Sequence, residues 1–304
     1  DADGGRWAGM NSGVVQIAHN SPITVFDGTN GPTPGTIDGW YRHNGEVYAG
    51  SFDGLYQLMP PDTTTGSSPR FDRILDSVTN VFAFTYHQGD LIFSDSNGLN
   101  RLLADGRSEL VLDLSHNPPK SIADSRLVPN RLYASGQDGL TILERTPEGF
   151  QILGEVLDLG TSFFHVEEDD GDVWLGSYST GFTRVPAAHE ISDWEHIRAE
   201  RYWRSHGLPE EMTWTTVTAG AAGTVFFTDV GGMKFDEENR QFLPDDRYPI
   251  DGQNGWGLTP SIITPDGSTW ASVFGESAMN AAFPFGRFLP PSDDGSVTWQ
   301  AAPG

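Results

Sequence analysis

Cysteine is absent from the 304-residue chain, and lysine is nearly so. The lack of cysteine excludes a disulfide scaffold, a thiolate zinc site, an iron–sulfur cluster and a cysteine nucleophile. The only two lysines are Lys120 and Lys234, and the other cationic residues are arginines. No apolar stretch approaches the roughly 20 residues of a membrane-spanning helix, so we expect no membrane insertion.

The charge balance of the chain is strongly acidic. Asp and Glu total 42 against 18 Lys and Arg, which gives a formal net charge of −24 at pH 7. Such a surface repels phosphate backbones and anionic lipids, so nucleic acid is not an expected partner. The chain begins at Asp1 rather than Met, which predicts a processed protein or a piece of a longer one. The composition favours an extracytoplasmic location, either periplasmic or secreted.

One pattern recurs seven times along the chain. Each copy has Gly or Asn, then a large residue three positions later, then a turn and a second apolar stretch. The large residues are Trp7, Tyr48, Ile92, Tyr133, Trp174, Phe226 and Trp270. Their spacing of about 40–50 residues is typical of β-propeller blades, each a four-stranded antiparallel sheet. The sequence therefore predicts an all-β fold, a seven-bladed β-propeller.

Alternation of large and small residues predicts four strands in each repeat, which we call A to D from the central channel outward. Strand B carries the large residue, as in EVYAGSF, and strand C follows a tight turn. Type I′ hairpins are predicted for three of these turns, at Asp53-Gly54, Asn97-Gly98 and Asp138-Gly139. The exception to the all-β pattern is His189–Arg204, where apolar residues at helical spacing predict a short helix.

The two ends of the chain predict how the ring closes. The first repeat starts directly at strand B, so it lacks a strand A. The C-terminal Val297–Ala302 contains the Thr-Trp pair that also stands before strand B at Thr213-Trp214. We therefore expect the C-terminal strand to pair into the N-terminal blade, which would make residues 1–304 a single seven-bladed domain.

Two stretches carry a family resemblance. Ser162–Val185 and His206–Asp236 resemble the two-component regulator propeller repeat, with its Gly-Leu-Pro, apolar strand, Trp-apolar-Gly and Gly-Leu with an aromatic. Gly-Leu-Pro occurs once, at Gly207-Leu208-Pro209, and several repeats replace Trp-apolar-Gly, for instance by IFSD. The resemblance implies the extracytoplasmic sensory part of a hybrid histidine kinase that responds to a ligand such as a carbohydrate. It also implies an adjoining signalling domain or a second copy as partner.

The expected binding site is the mouth of the central channel, where the B–C turns and D–A loops of a propeller converge. Sugar recognition uses aromatic faces with neighbouring carboxylates and amides. The candidate ligand-binding residues there are Trp40, Phe52, Tyr178, His206, Glu210, Trp256, Phe274 and Glu276. Blade-to-blade packing explains Phe52, Tyr178 and Phe274 equally well, and a core position is favoured for Trp40 and Trp256. Turn chemistry alone explains Asp53, Asn97 and Asp138.

No strong catalytic motif accompanies these residues. His165 could face the channel as a general base, but a structural histidine is favoured. The acidic run at 167–170, followed by Asp172, could bind calcium, but a solvated turn is favoured. We therefore predict a non-catalytic sensory or ligand-binding domain for a polar small molecule or oligosaccharide, with no metal, cofactor or catalytic residue.

Two alternatives stay open. A secreted polysaccharide lyase or glycoside hydrolase would use the same funnel, with His206, Glu210 and Glu211 as acid–base groups. Few basic residues are expected on that face, Lys120 being one, and this counts against a lyase acting on an acidic polymer. A protein-interaction scaffold would instead present a flat, plugged face.

Overall fold

The fold is seen in a computed structural model of the chain. It describes residues 6–10, 13–17, 26, 29–32, 37–43, 45–61, 64, 66–75, 77–178, 180–210, 212, 214–220, 223–228, 231–245, 247–248, 257–263, 268–274, 285–290, 292 and 297–301. The description covers the backbone alone for residues 6–10, 13–17, 219–220, 223, 257–263, 271–274, 285–286 and 301.

The described strands form one hairpin and six blades. The hairpin consists of β1 (Arg6–Met10) and β2 (Gly13–Ile17). The strands of the six antiparallel sheets are, blade by blade, β3 (Ile37–His43), β4 (Glu46–Ser51), β5 (Gly54–Met59) and β6 (Arg70–Leu75); β7 (Phe84–His87), β8 (Asp90–Asp95), β9 (Gly98–Leu102) and β10 (Ser108–Asp113); β11 (Pro119–Asp124), β12 (Arg131–Gly136), β13 (Leu140–Thr146) and β14 (Gly149–Val156); β15 (Phe163–Asp169), β16 (Asp172–Ser177), β17 (Phe182–Val185) and β18 (Glu200–Tyr202); β19 (Thr215–Gly220), β20 (Gly223–Thr228), β21 (Gly231–Asp236) and β22 (Gln241–Pro244); β23 (Gly257–Ile263), β24 (Thr269–Phe274), β25 (Phe285–Phe288) and β26 (Trp299–Ala301). The predicted β-propeller with four-stranded antiparallel blades is confirmed.

The first strand of each blade, strand A, lies nearest the axis. Residues of β3, β7, β11, β15 and β19 together line a central cavity of about 460 Å³. Backbone hydrogen bonds join the B–C turns to the D–A loops, as from the Asn80 N–H to the Phe52 carbonyl and from the Leu159 N–H to the Asp138 carbonyl. These bonds hold both sets of loops on one side of the ring, which we call the mouth face.

The prediction of seven blades is wrong, because the described part of the chain forms six four-stranded blades. The described residues of the first repeat form one hairpin, β1 with β2. The predicted closure through Val297–Ala302 is also wrong, since β26 pairs with β25, with Trp299 opposite Phe288. The C-terminal strand thereby becomes the fourth strand of blade 6. Strands close in sequence usually pair, and β25 is nearer in the chain than the N-terminal hairpin.

The predicted helix at 189–204 is replaced by an irregular connection. Short 3-10 turns at Ala188–Glu190 and Arg204–His206 flank the outer strand β18. Trp194 and Ile197 pack against the hydrophobic core between blades 3 and 4. Their apolar side chains are therefore spaced to bury this connection against the sheets, not to form one face of a helix. No helix in the described ranges is both long and apolar enough to cross a bilayer.

The B–C turns need glycine for a reason other than the predicted type I′ geometry. The Asp or Asn before each of these glycines has a negative φ, whereas consecutive positive φ values occur in an A–B turn, at Asp170 (47°) and Gly171 (85°). A Cβ on Gly98 would lie 2.2 Å from the carbonyl oxygen of Leu112. Glycine is required there because strand D approaches the turn closely.

The large residue that marks each repeat is a core residue wherever the structure describes its side chain in blades 1 to 5. These residues, Tyr48, Ile92, Tyr133, Trp174 and Phe226, are buried. The ring of Trp174 lies 4.8 Å from that of Phe226 in the next blade. Burying an aromatic side chain of this kind contributes about 1.5–3 kcal/mol. The regular spacing of these residues therefore reflects their packing between neighbouring blades.

One carboxylate of the acidic run is buried instead of solvated. Glu168 on β15 accepts hydrogen bonds from the Ser125 hydroxyl (2.8 Å), the Tyr133 hydroxyl (3.2 Å) and the Arg126 N–H. All three donors belong to blade 3 or its A–B connection, so Glu168 ties blades 3 and 4 together. The prediction that the acidic residues 167–170 form a solvated turn is therefore wrong for Glu168.

Candidate functional site

Three blades share an irregularity where strand A begins at the mouth face. The register of strand A against strand B shifts between residues 37 and 39, between 119 and 121, and between 163 and 165. The residues at these shifts are Asp38, Lys120 and Phe164. A β-bulge re-aims a side chain, and bulges are frequent at barrel rims and beside functional sites. Together with two aromatic neighbours these residues make up the mouth cluster, which consists of Asp38, Phe82, Lys120, Phe164 and Tyr178.

The Lys120 ammonium is held on aromatic faces. Its Nζ lies 4.2 Å from the centre of the Phe164 ring and 5.9 Å from that of Phe82. The Ser162 hydroxyl accepts a long hydrogen bond of 3.4 Å from it. Burial lowers the pKa of Lys120 below its ordinary value, and the nearby Asp38 charge opposes this effect. The cation is thus partly stripped of water at the entrance to the channel.

Asp38 supplies the negative charge of the cluster. Burial raises the pKa of this carboxyl, and the Lys120 charge acts in the opposite direction. Asp38 and Lys120 do not form an ion pair within 4 Å with each other or with another described residue. The two charges therefore influence each other without a direct ion pair.

Tyr178 extends the aromatic wall outward. Its ring meets that of Phe164 edge to face at 4.5 Å, and more than half of the residue is exposed, at 54%. The backbone of Tyr178 forms an isolated antiparallel bridge with Trp214 of blade 5, and its carbonyl accepts a bond from the Thr161 hydroxyl at 2.9 Å. Backbone contacts to two neighbouring segments thus fix the position of an exposed ring.

The central cavity is lined by residues that follow the mouth cluster along the inner strands. Its polar lining includes Tyr41, Thr85, Asp124, His165 and Glu167. His165 directly follows Phe164, so the bulge that sets the mouth cluster also sets this histidine. Burial lowers the pKa of His165 to about 4, which keeps the imidazole neutral at pH 7. A neutral imidazole can both donate and accept a hydrogen bond, so it suits an uncharged hydroxyl.

Three of the aromatic and polar candidates are exposed near the mouth. Phe52 occupies the B–C turn of blade 1 and is 68% exposed, and Trp40 on β3 is 46% exposed. Tyr178 is the candidate that the structure brings into contact with the mouth cluster. Trp40 follows Asp38 by two positions on the same strand, so it flanks the cluster.

His206 and Glu210 lie in the connection from blade 4 to blade 5. The Nδ1 atom of His206 accepts a hydrogen bond from the Trp203 N–H at 3.1 Å, and its ring contacts Tyr202 on the outermost strand. This histidine therefore caps a 3-10 turn. Glu210 is exposed in the loop that follows.

The remaining candidates come from the last repeat of the sequence. Phe274 ends β24, and its backbone pairs with Gly257. Trp256 and Glu276 lie outside the described residues. In the ranges that the structure does describe, no three His, Asp or Glu side chains are arranged to hold a metal ion.

Sequence reasoning missed Asp38, Phe82 and Phe164, and it noted Lys120 only as a base near the mouth. Alternation assigns each strand residue to one of two faces, but a bulge adds a residue and moves a side chain out of that order. The sequence did contain a signal for Lys120. It is one of only two lysines in a strongly acidic chain, and it stands directly before a predicted inner strand.

Known proteins resemble the chain in fold. No protein-family model matches it, and no curated protein does. A catalytically inactive virginiamycin B lyase from Staphylococcus aureus, solved with quinupristin, aligns at a TM-score of 0.54 and 14% identity over 86% of this chain and 82% of that one. The β-propeller domain of Cps50 (Swd1) from Myceliophteria thermophila aligns at 0.51 and 13% identity over 88% of this chain and 87% of that one.

A third solved structure is named as the extracellular domain of a hybrid two-component system, BT4673, from B. thetaiotaomicron. It aligns at a TM-score of 0.32 and 14% identity, over 98% of this chain. The chain spans half the length of that protein, at 50%. At identities this low, the alignments with scores above 0.5 establish the β-propeller fold, and the third adds no argument to it.

Proposed function

We propose that this propeller is a non-catalytic, ligand-binding sensory module that holds an oligosaccharide at the mouth cluster. The observation that carries the proposal is the meeting of three bulged residues, Asp38, Lys120 and Phe164, from three different blades. Packing of blades does not require two opposite charges at the channel entrance. Partial burial of the Lys120 ammonium costs desolvation free energy, which a polar or anionic group of a bound ligand would offset.

The chemistry of the mouth cluster matches a sugar. The exposed ring of Tyr178 offers an apolar face for stacking, and Asp38 offers an acceptor for hydroxyl groups. Lys120 donates up to three hydrogen bonds. The cavity below, with the neutral His165, leaves room for part of the ligand to enter the channel.

The contacts of His206, one of the acid–base candidates, favour a binding role over a hydrolase or lyase. Glu211 lies outside the described residues. The Nδ1 atom of His206 accepts a hydrogen bond from the backbone of its own turn rather than contacting Lys120 or Asp38. The repeat resemblance to two-component regulator propellers supports an extracytoplasmic location and a signalling domain or second copy as partner.

The test is a thermal-shift and calorimetry screen with neutral and acidic oligosaccharides, combined with chromatography of each mixture. A ligand at 100 times its Kd adds about 2.7 kcal/mol to the free energy of unfolding. In the Tyr178→Ala variant we expect affinity to fall about tenfold, because the stacking surface is lost. Tyr86→Ala is the matched control, since this exposed tyrosine lies near the other end of strand A and contacts His43.

Each outcome of this screen decides between the candidate functions. Binding of intact sugar, lost in Tyr178→Ala and kept in Tyr86→Ala, supports the proposal. Cleaved sugar would show an enzyme. The absence of binding to folded protein across the panel would favour a protein-interaction scaffold.

A further inference from the structure

We propose that the ligand of the mouth cluster is an acidic saccharide, and that Lys120 binds its carboxylate. This inference rests on the proposed function and narrows it to a class of sugar. It follows from what surrounds the Lys120 ammonium, from the position of Asp38 and from the arrangement of the aromatic rings.

Lys120 has fewer polar contacts than the arginines that are buried or partly buried. Arg184 contacts Asp172, Arg247 contacts Asp245 at 2.7 Å, and Arg131, which also lies over an aromatic ring, donates to the carbonyls of Ala188 and His189. The Lys120 ammonium contacts two phenyl rings and one hydroxyl. Among the ion pairs within 4 Å that join described residues, Lys120 has none. No described carboxylate contacts the ammonium directly, so an anionic group of a ligand can take that place.

The negative charge of Asp38 limits the charge that a ligand group beside Lys120 can carry. Its carboxyl acts on Lys120 at a distance, and the residue is exposed. A group placed between the two therefore meets one cation and one anion. A single carboxylate on Lys120, with a hydroxyl donating to Asp38, satisfies both, whereas a single group with two negative charges, such as a phosphate, would be repelled by Asp38.

The rings determine how a sugar could reach the cation. Phe164 contacts the Lys120 ammonium at 4.2 Å, and its ring meets Tyr178 at 4.5 Å. The ammonium and the exposed phenol ring are thus neighbours of the same phenyl ring. A uronic acid stacked on Tyr178 can direct its carboxylate, which is bonded to the sugar ring, toward Lys120.

The net charge of −24 opposes this binding, but only weakly at ordinary salt. At about 0.1 M ionic strength the Debye length is roughly 10 Å, so most of the carboxylates of the chain are screened from the ligand. The local pair is screened less, because the ammonium is partly buried.

The experiment compares trigalacturonate with its methyl ester, which keeps the rings and removes the charge. For the wild-type chain we expect trigalacturonate to bind at least tenfold more tightly in calorimetry at pH 7. Lys120→Met, which keeps the length and apolar stem of the side chain, should bind both sugars with the affinity of the ester. Lys234→Met is the matched control, because Lys234 is the other lysine and is exposed on β21. It should keep the preference.

A second measurement needs no variant. The preference of the wild-type chain for the charged sugar should vanish as pH rises through the pKa of Lys120, because the neutral amine no longer attracts a carboxylate. Equal affinity for the two sugars, or a preference that survives in Lys120→Met, would overturn the acidic-sugar inference and leave saccharide binding standing. Failure of folded wild-type protein to bind any saccharide of the wider panel would overturn both.

Discussion

At the scale of single residues, the mouth cluster depends on where backbone register slips. Tyr178 could be predicted from sequence, because a ring in a B–C turn stands out. Asp38 and Phe164 could not, since alternation along a strand gives no sign of a bulge. Lys120 was visible in the sequence as a rare residue, but its aromatic neighbours come from Phe82 and Phe164, about 40 residues away on either side. Only the ring of blades brings them together.

His165 makes stability depend on pH in a definite direction. The folded chain keeps His165 neutral down to a pKa of about 4, whereas an unfolded histidine is protonated near pH 6.5. The unfolded state therefore gains a proton first, and the free energy of unfolding falls as pH drops from about 6.5 to about 4. This shift corresponds to a loss of about 3 kcal/mol.

Urea unfolding at pH 7.5, 5.5 and 4.5 checks this expectation. In His165→Gln the loss of stability across the window should be smaller than in the wild type by up to about 3 kcal/mol. His196→Gln is the control, because the His196 side chain is exposed and should leave the pH dependence unchanged. A His165→Gln curve parallel to the wild-type curve would refute the assignment.

At the scale of strands and blades, the sequence pattern was most informative. The marker residues of strand B are buried between blades, so their spacing predicted the sheets. The helix prediction failed because apolar residues at helical spacing also occur in an irregular connection that covers a sheet, as Trp194 and Ile197 do. The acidic run was misjudged because side-chain partners such as Ser125 and Tyr133 lie in a different repeat from Glu168.

Glu168 should be a strong link between blades 3 and 4. Its carboxylate is almost fully buried, at 1% exposure, and accepts three hydrogen bonds. Replacing it in Glu168→Ala leaves buried donors without acceptors, and we expect a loss of about 3 kcal/mol in the free energy of unfolding.

Chemical denaturation of that variant measures the loss. Glu195→Ala is the control, since Glu195 is exposed and its replacement should change stability by less than about 0.5 kcal/mol. Glu168→Gln should fall between the two, because the amide oxygen still accepts. Equal stability of Glu168→Ala and Glu195→Ala would contradict the proposed link.

At the scale of the whole molecule, repeat arithmetic predicted the propeller but not the number of blades. A segment such as Val297–Ala302 fits either as strand A of the first blade or as strand D of the last, and both choices give similar spacing. The pairing of β26 with β25 shows that this segment is strand D of the last blade. Counting repeats therefore overestimates the blades when the described residues of a terminal repeat form one hairpin, as β1 and β2 do.

The central claim is that a saccharide binds at the mouth of this ring through Lys120, and the chain offers a direct test. With only two lysines, reductive ¹³C-methylation adds one NMR signal for Lys120 and one for Lys234, which the Lys120→Met and Lys234→Met variants assign. Titration with trigalacturonate should shift the Lys120 signal in a saturable manner and leave the Lys234 signal in place. A saturable shift at Lys234, or binding that leaves the Lys120 signal unmoved, would contradict the account.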